Sequence, residues 1–235
     1  LKLSNRLSQI DHMIASNYTH IWDCCCDHGF LGAALLDRNA AKHIHFVDIV
    51  PKLMTALEDK LEQFYATCPA TYYVHCIDVA TLPLSEYKGK HLVVIAGVGG
   101  DLMMKFVSGL CQRYPQLDID FLLCPVHHQY ALRQTLIKNN LRLLRESLVE
   151  DNRRFYEVML VTTNPEQGDI ISSVGKEFWQ TTSSEQTETA TNYLDNTLRH
   201  YERIQRGGRS DVTNILQDYR QISVCDKQGA LKANR

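Results

Sequence analysis

The stretch "WDCCCDHGFLG", residues 22–32, sets three consecutive cysteines between two aspartates, at the point where an apolar run gives way to a helix-like segment. A metal site fits poorly. Consecutive residues do not readily turn three thiolates onto one tetrahedral centre, and no C-x-x-C pair occurs in the chain. A redox pair fits poorly too, since neighbouring cysteines reach disulfide geometry only with strain. The remaining reading is positional. The stretch closes a strand and opens a helix, where α/β folds hold the phosphate or carboxylate end of a nucleotide-like ligand.

Working outward, β-branched, aromatic and apolar runs recur at 20–25, 43–49, 71–78, 91–97 and 118–125. Segments at helical period, roughly 29–39, 51–66, 99–113 and 128–140, lie between them. Ser4 is placed to cap a first short helix that carries Leu7, Ile10, Met13 and Ile14. Strand and helix alternating in this way predict βαβ units and a mostly parallel sheet covered on both faces. "LRLLRESLVE" and "RFYEVMLVTT" then follow with only "DNR" between them, too short for a helical crossover, so they should form an antiparallel hairpin at the sheet edge. A seven-stranded sheet closed by such a hairpin is the Rossmann-like α/β arrangement of class I methyltransferases, whereas a dehydrogenase domain would keep the parallel crossover going.

After "TNPEQGD" (163–169) the composition shifts to Ser, Thr, Glu and Gln, with no strand pattern. This predicts a domain over 1–165 and a second, helical one over 166–235. Tyr193, Leu194, Thr197, Leu198, Tyr201 and Ile204 recur at helical spacing, "RGGRS" interrupts them, and Val212, Ile215, Leu216, Tyr219 and Ile222 resume the pattern, with Ser210 as the expected N-cap. An αα-hairpin with facing apolar stripes is expected.

Composition narrows the classes. A chain of 235 residues with 44% hydrophobic content can build a sizeable core, and a net charge of −2 means that any nucleic-acid contact must come from a local basic surface. No apolar run approaches the length of a membrane span, and the polar start is unlike a signal peptide, so a cytoplasmic protein without membrane partners is expected. The missing initial Met points to a trimmed start. The eight cysteines read as free thiols, most of them packed as small hydrophobes in runs such as "YYVHCID" and "FLLCP".

Aligned by spacing, Asp23, Cys25, Asp27 and Gly29 fall where class I methyltransferases carry an acidic residue and three alternating glycines; only the last glycine is present. A left-handed backbone at Cys25 would cost roughly 1–2 kcal/mol, against about 8 kcal/mol for micromolar cofactor binding. The motif is weakened and the ligand is still allowed. Asp48 ends the second strand, where a carboxylate can accept both ribose hydroxyls of S-adenosylmethionine; Asp78 ends the third, within reach of an adenine amine. Ile49 and Val79 adjoin them. "AGVGG" (96–100) ends the fourth strand, and its small residues let cofactor and target approach each other. Each sign alone has a plain alternative, a helix cap for an aspartate or a turn for the glycines.

"LSNRLSQI", "WDCCCDHGFL", "IAGVGG", "LRQTLIKNNLRLLRESLV" and "FYEVMLV" together resemble the tRNA (adenine(22)-N1)-methyltransferase family, TrmK, over most of residues 3–163. The resemblance implies a Rossmann-like S-adenosylmethionine domain followed by a helical, coiled-coil-like C-terminal domain, with tRNA as substrate. It places Asp23, Asp27 and His28 on the family's Asp-x-Gly-x-Asp-His segment, Asp48 at the ribose, and Asp78 on a Gly-Asp-Gly segment that has lost both glycines. It also sets Ala96, Gly97, Val98, Gly99 and Gly100 on the Ala-Gly-Met-Gly-Gly loop. "CPVHH" departs most from the family, which reads Gln-Pro-Asn there; Pro125 alone is kept.

On that reading adenine N1 attacks the sulfonium methyl directly, and positioning supplies much of the rate. Asp27 is the expected catalytic carboxylate, stabilising the cationic product or taking a proton from the exocyclic amine, with His28 orienting it. Asp27 could instead cap the following helix. The target base must be unpaired and stacked; Tyr130 and Phe30 are candidate platforms, though both suit the core better. His127 and His128 could contact phosphate or base, and Arg199, Arg203 and Arg206, with Arg209 beyond them, form a helical stripe able to bind tRNA phosphates. Other readings are a related methyltransferase of another RNA or a small molecule, a non-catalytic nucleotide- or RNA-binding module, and an NAD-dependent oxidoreductase, for which the G-x-G-x-x-G turn is absent. The oligomeric state, monomer or dimer through the C-terminal helices, is left open.

Overall fold

The computed structural model describes residues 2–208 and 210–226. Its elements are α1 (Asn5–Met13), β1 (His20–Cys24), α2 (Phe30–Asp37), β2 (His43–Asp48), α3 (Pro51–Tyr65), β3 (Thr71–Cys76), β4 (His91–Ala96), α4 (Gly100–Arg113), β5 (Ile119–Cys124), α5 (Gln129–Lys138), β6 (Arg142–Asp151), β7 (Arg154–Thr162), β8 (Asp169–Ile170), β9 (Gln180–Thr181), α6 (Ser184–Gly207), α7 (Thr213–Arg220) and β10 (Cys225–Asp226). The main sheet runs β3-β2-β1-β4-β5-β7-β6-β8, with the first five strands parallel. β7 returns antiparallel between β5 and β6.

The expected sheet is therefore present with two corrections. Two-residue β8 pairs with Arg142 and Leu143 of β6, so the sheet has eight strands and the hairpin is not wholly its edge. β9 and β10 form a separate parallel pair, so the region after residue 169 is not free of strands. Asn152 and Arg153, both at positive φ (52° and 61°), make the two-residue turn that the short "DNR" linker demanded.

Alternate strand residues feed two cores, as the pleat requires. Ile21, Ile44, Phe46, Leu92 and Val94 face α1, α2 and α3; Trp22, Val93, Ile95, Phe121 and Leu123 face α4 and α5. Ser4 accepts from the Leu7 amide at 3.4 Å, capping α1 as expected. Ser210 caps nothing: α7 starts at Thr213, where the Asp211 carboxylate accepts from the Thr213 amide.

The hairpin of α6 and α7 has facing stripes, with Tyr201 stacked on Tyr219 at 6.0 Å. α7 is only 8 residues against 24 in α6, so the pair is lopsided. Its core continues through Val174 and Trp179 onto Phe155, Leu148 and Tyr130. Fully buried Arg133 joins the parts. It donates to Glu157 (2.7 Å), Glu146 (2.6 Å) and the Ser172 carbonyl (3.0 Å), while Tyr193 of α6 donates to Glu157 (2.6 Å). Among the described residues no helix is long and apolar enough to cross a membrane.

Candidate active site

The ends of β1, β2 and β4 lie side by side, because these strands pair in parallel register. The loop after β1 answers the cysteine question. Cys25, Asp27 and Gly29 all take the left-handed backbone, with φ of 56°, 49° and 69°, at the three alternating positions of the glycine pattern, of which only the last holds glycine. The two non-glycine residues cost about 1–2 kcal/mol each. The loop keeps the shape that glycines would make freely.

Its thiols are inert. Burial pushes Cys25 up to about 12, and the nearby Asp48, Asp23 and Asp78 carboxylates add to it. Cys24 and Cys26 are pushed up by burial as well. At neutral pH all three remain thiols, unsuited to redox exchange. Among the described residues no cluster of His, Cys, Asp or Glu is arranged to hold a metal. Cys24 and Cys124 are packed as small hydrophobes, but Cys76 is exposed, against expectation.

Asp23 is buried (4% exposed) and accepts from the Gly32 amide at 2.8 Å, so it anchors α2 beneath the loop. Burial raises its pKa to about 7, against the opposing Gly32 bond, with the Asp48 charge raising it further. Asp48 braces the loop from β2, accepting from the Asp27 amide (3.3 Å) and the Val50 amide (3.0 Å). Asp27 does not cap α2; Gly29 occupies that position. Asp27 instead stands exposed, 3.6 Å from His28 Nε2. Ile49 is 64% exposed beside Asp48.

Asp78 caps a short 3-10 turn, accepting from the Ala80 amide at 2.8 Å, and its side chain is exposed. Val79 is buried in the core, which leaves only its backbone for a ligand. Ala96 and Val98 are half-buried around Gly97, which has φ 81°. A Cβ at Gly97 would meet nothing nearer than the Arg6 guanidinium, at 3.5 Å. Arg6, which also lies over the Tyr156 ring at 5.1 Å, thus brings a positive charge from α1 to the end of β4. Reading of the sequence missed it, because the first helix was read only for its apolar stripe.

The loops after β4 and β5 interlock. Val126 donates to the Val98 carbonyl (3.0 Å) and Gly100 to the His127 carbonyl (3.1 Å). A Cβ at Gly100 would stand 2.7 Å from the His127 carbonyl, so glycine is required there by close approach, while one at Gly99 would stand 2.5 Å from the exposed His127 ring and displace it. Pro125 is buried, while His127 and His128 are exposed and edge-to-face at 4.3 Å. His128 lies 3.0 Å from Asp101 at the start of α4.

Phe30 is half exposed and 5.8 Å from the His28 ring, so it is not a core residue. Tyr130 is committed to the helical region, donating to Asp218 at 2.9 Å. Arg199, Arg203 and Arg206 are exposed along α6, with Asp195 at 4.0 Å from Arg199. Arg209 lies outside the described residues. His200, within this stripe, is held below its ordinary pKa by burial, then by Arg203 and His128. A cavity of about 900 Å³ lies elsewhere, between α1, β6 and the start of α6.

Residues 3–159 match the methyltransferase-domain family. The chain belongs to that family. No curated protein matches it. Among solved structures, TrmK of M. capricolum, in complex with S-adenosyl-homocysteine, superposes with a TM-score of 0.70 at 19% identity, over 93% of this chain and 96% of that one. The B. subtilis m1A22 tRNA methyltransferase TrmK gives 0.66 at 20% identity, over 94% of each chain. Magnesium protoporphyrin IX methyltransferase from Synechocystis, with bound SAM, gives 0.50 at 15% identity, over 68% of this chain and 76% of that one. At these identities the likeness is one of fold, and the methyltransferase domain here has the architecture expected from its strand pattern.

Proposed function

We propose that the chain is an S-adenosylmethionine-dependent methyltransferase that modifies tRNA at N1 of an adenine. The observation that carries the reading is the loop after β1, which holds left-handed backbone at three alternating positions and is tied through the Asp27 amide to a carboxylate at the end of β2. α/β folds hold a nucleotide-like ligand at such a strand-to-helix loop, and Asp48 is half exposed beside it to accept ribose hydroxyls. The Arg6 guanidinium, 3.5 Å from where a Cβ of Gly97 would stand, suits a carboxylate-bearing cofactor there. S-adenosylmethionine supplies the methyl group.

The protein's own part is to hold the acceptor nitrogen in line. Asp27, exposed and next to His28, can stabilise the positive charge that develops on the base or accept a proton from its amine. His127, His128, Arg199, Arg203 and Arg206 are the side chains assigned to RNA phosphate, a contribution that falls with salt. The division at residue 165 then separates the part holding the cofactor from a helical part that helps to hold RNA. The two TrmK structures match both parts, whereas the porphyrin enzyme matches only about two-thirds of the chain, which favours tRNA over a small molecule. A cytoplasmic location follows from a tRNA substrate.

A second reading, another RNA as acceptor, is favoured by Cys124 and Val126 in place of the family's Gln and Asn around Pro125, with two histidines following. Incubation with methyl-labelled S-adenosylmethionine and unmodified total tRNA, then nucleoside mass spectrometry, separates the two. Labelled 1-methyladenosine supports the proposal. Label in another RNA, or none with the cofactor bound, defeats it.

A further inference from the structure

Strand alternation sends His20 and Trp22 of β1, His43 and His45 of β2, Tyr73 and His75 of β3, and His91 of β4 to one face of the sheet. Between β3 and β4 the chain makes only two 3-10 turns, so no crossover helix covers that face. The aromatic rings tile it instead. His45 stacks on Trp22 at 3.7 Å and on Tyr73 at 4.7 Å, and Tyr87 lies edge-on across four of the rings at 4.8–5.7 Å.

The hydrogen bonds in this row run in one direction. The Lys88 carbonyl can only accept, so His20 Nε2, 3.2 Å away, carries a proton. His20 Nδ1 then accepts from His45 Nε2 at 3.0 Å, and His45 Nδ1 accepts from His75 Nε2 at 2.9 Å. A parallel branch ends on the Tyr87 carbonyl, which accepts from His91 Nε2 (3.0 Å), while His91 Nδ1 accepts from the Trp22 indole (3.1 Å). With neutral rings, this pattern makes four imidazoles Nε2–H tautomers. His20, His45 and His91 have no lone pair left, and a proton added at Nδ1 would face another N–H.

The surroundings offer such a proton no partner. Burial and the neighbouring imidazoles push His45 down to about 2. Burial, His91 and His43 push His20 down to about 4, against the bond to Lys88. No carboxylate acts on either ring. Glu86 lies near Tyr87, whose phenol is held above its ordinary pKa by burial, and buried His43 Nδ1 has no partner.

We propose that this row of imidazoles is an acid-sensitive latch, which joins β2 and β3 to β1 only while its rings are neutral and opens that edge of the sheet on proton uptake. The sign follows from linkage. The open state titrates near the ordinary histidine value of about 6.5 and the closed state below it, so the latch is complete above that pH and weakens as pH falls through it. From pH 7.5 to 5.5 each such histidine favours opening about tenfold, and His20 with His45 about a hundredfold. β2 and β3 end at Asp48 and near Asp78, so opening also dismantles the cofactor edge, although the latch itself does not depend on that reading.

Native-state hydrogen exchange at the two pH values, corrected for intrinsic rates, tests it. Opening of 43–48 and 71–76 should rise about a hundredfold, while 119–124 and 154–162 change only a few-fold. Imidazole ¹⁵N spectra of the unaltered protein should hold the Nε2–H tautomer at His20, His45 and His91 throughout. His45→Gln, which keeps a donor and an acceptor without titrating, should cut the rise to about tenfold. Equal change in all strands, titration of any of the three near the free value, or an undiminished rise in His45→Gln would overturn the proposal.

Discussion

The loops after β1 and β5 both depart from the pattern of the family they resemble, and they do so in different ways. In the first, Cys25 and Asp27 stand where glycines were expected, yet the backbone keeps the left-handed turns. In the second, Gln-Pro-Asn becomes "CPVHH", and the new side chains shape the surface: the His127 ring fills the space above Gly99, and His128 pairs with Asp101. A loop that works through its N–H groups tolerates replacement of its side chains, while one that works through side chains changes what it recognises. On the proposed function, the first loop keeps its backbone shape for the cofactor where substrate recognition has room to differ.

The comparison can be broken at several points. The largest effect belongs to the one side chain of the first loop that the account assigns to chemistry. Asp27→Asn, which tolerates the left-handed backbone, should lower the methyl-transfer rate by about 100-fold or more and leave cofactor affinity within a few-fold; retained turnover would remove Asp27 from the mechanism. Asp48→Ala should weaken the cofactor by about 10–100-fold, through lost hydrogen bonds to a charged group of about 1.5–3 kcal/mol.

Gly99→Ala comes next. It should displace His127 and raise the KM for RNA several-fold with cofactor binding intact, and a parallel loss of cofactor would show that the two loops are not separable. The smallest effect is at Cys25. Cys25→Gly relieves about 1–2 kcal/mol of backbone strain but adds about 0.5–1 kcal/mol of unfolded-chain entropy, so Tm should rise by a few degrees at most. Cys25→Val, β-branched at positive φ, should lower it instead. A thermal melt of both variants decides.

The strands were legible because their apolar runs are bounded by turns and spaced for crossovers, and strand ends such as Asp48 and Gly97 could be placed from them. What escaped depends on pairing in space. Arg133, Glu146 and Glu157 look like surface charges along the chain; only packing of α5 on β6 and β7 brings them together, fully buried. The histidines of "HIHFV" and "YYVHC" carry no signal along the chain, since no one strand reveals that its neighbours carry rings at matching register. Arg6 was hidden in the same way, its partner surface being the end of a strand some 90 residues on. The Ser210 cap failed because an aspartate one residue later serves the helix start.

The central claim is that the strained loop after β1 and Asp48 together form a working S-adenosylmethionine site. Calorimetric titration of the protein, Asp48→Ala and Cys25→Gly with S-adenosylmethionine tests it most directly. The account predicts affinity near the micromolar range for the protein, the same for Cys25→Gly, and a loss of tenfold or more, about 1.4 kcal/mol, for Asp48→Ala. No binding by the unaltered protein, or binding indifferent to Asp48, would contradict it.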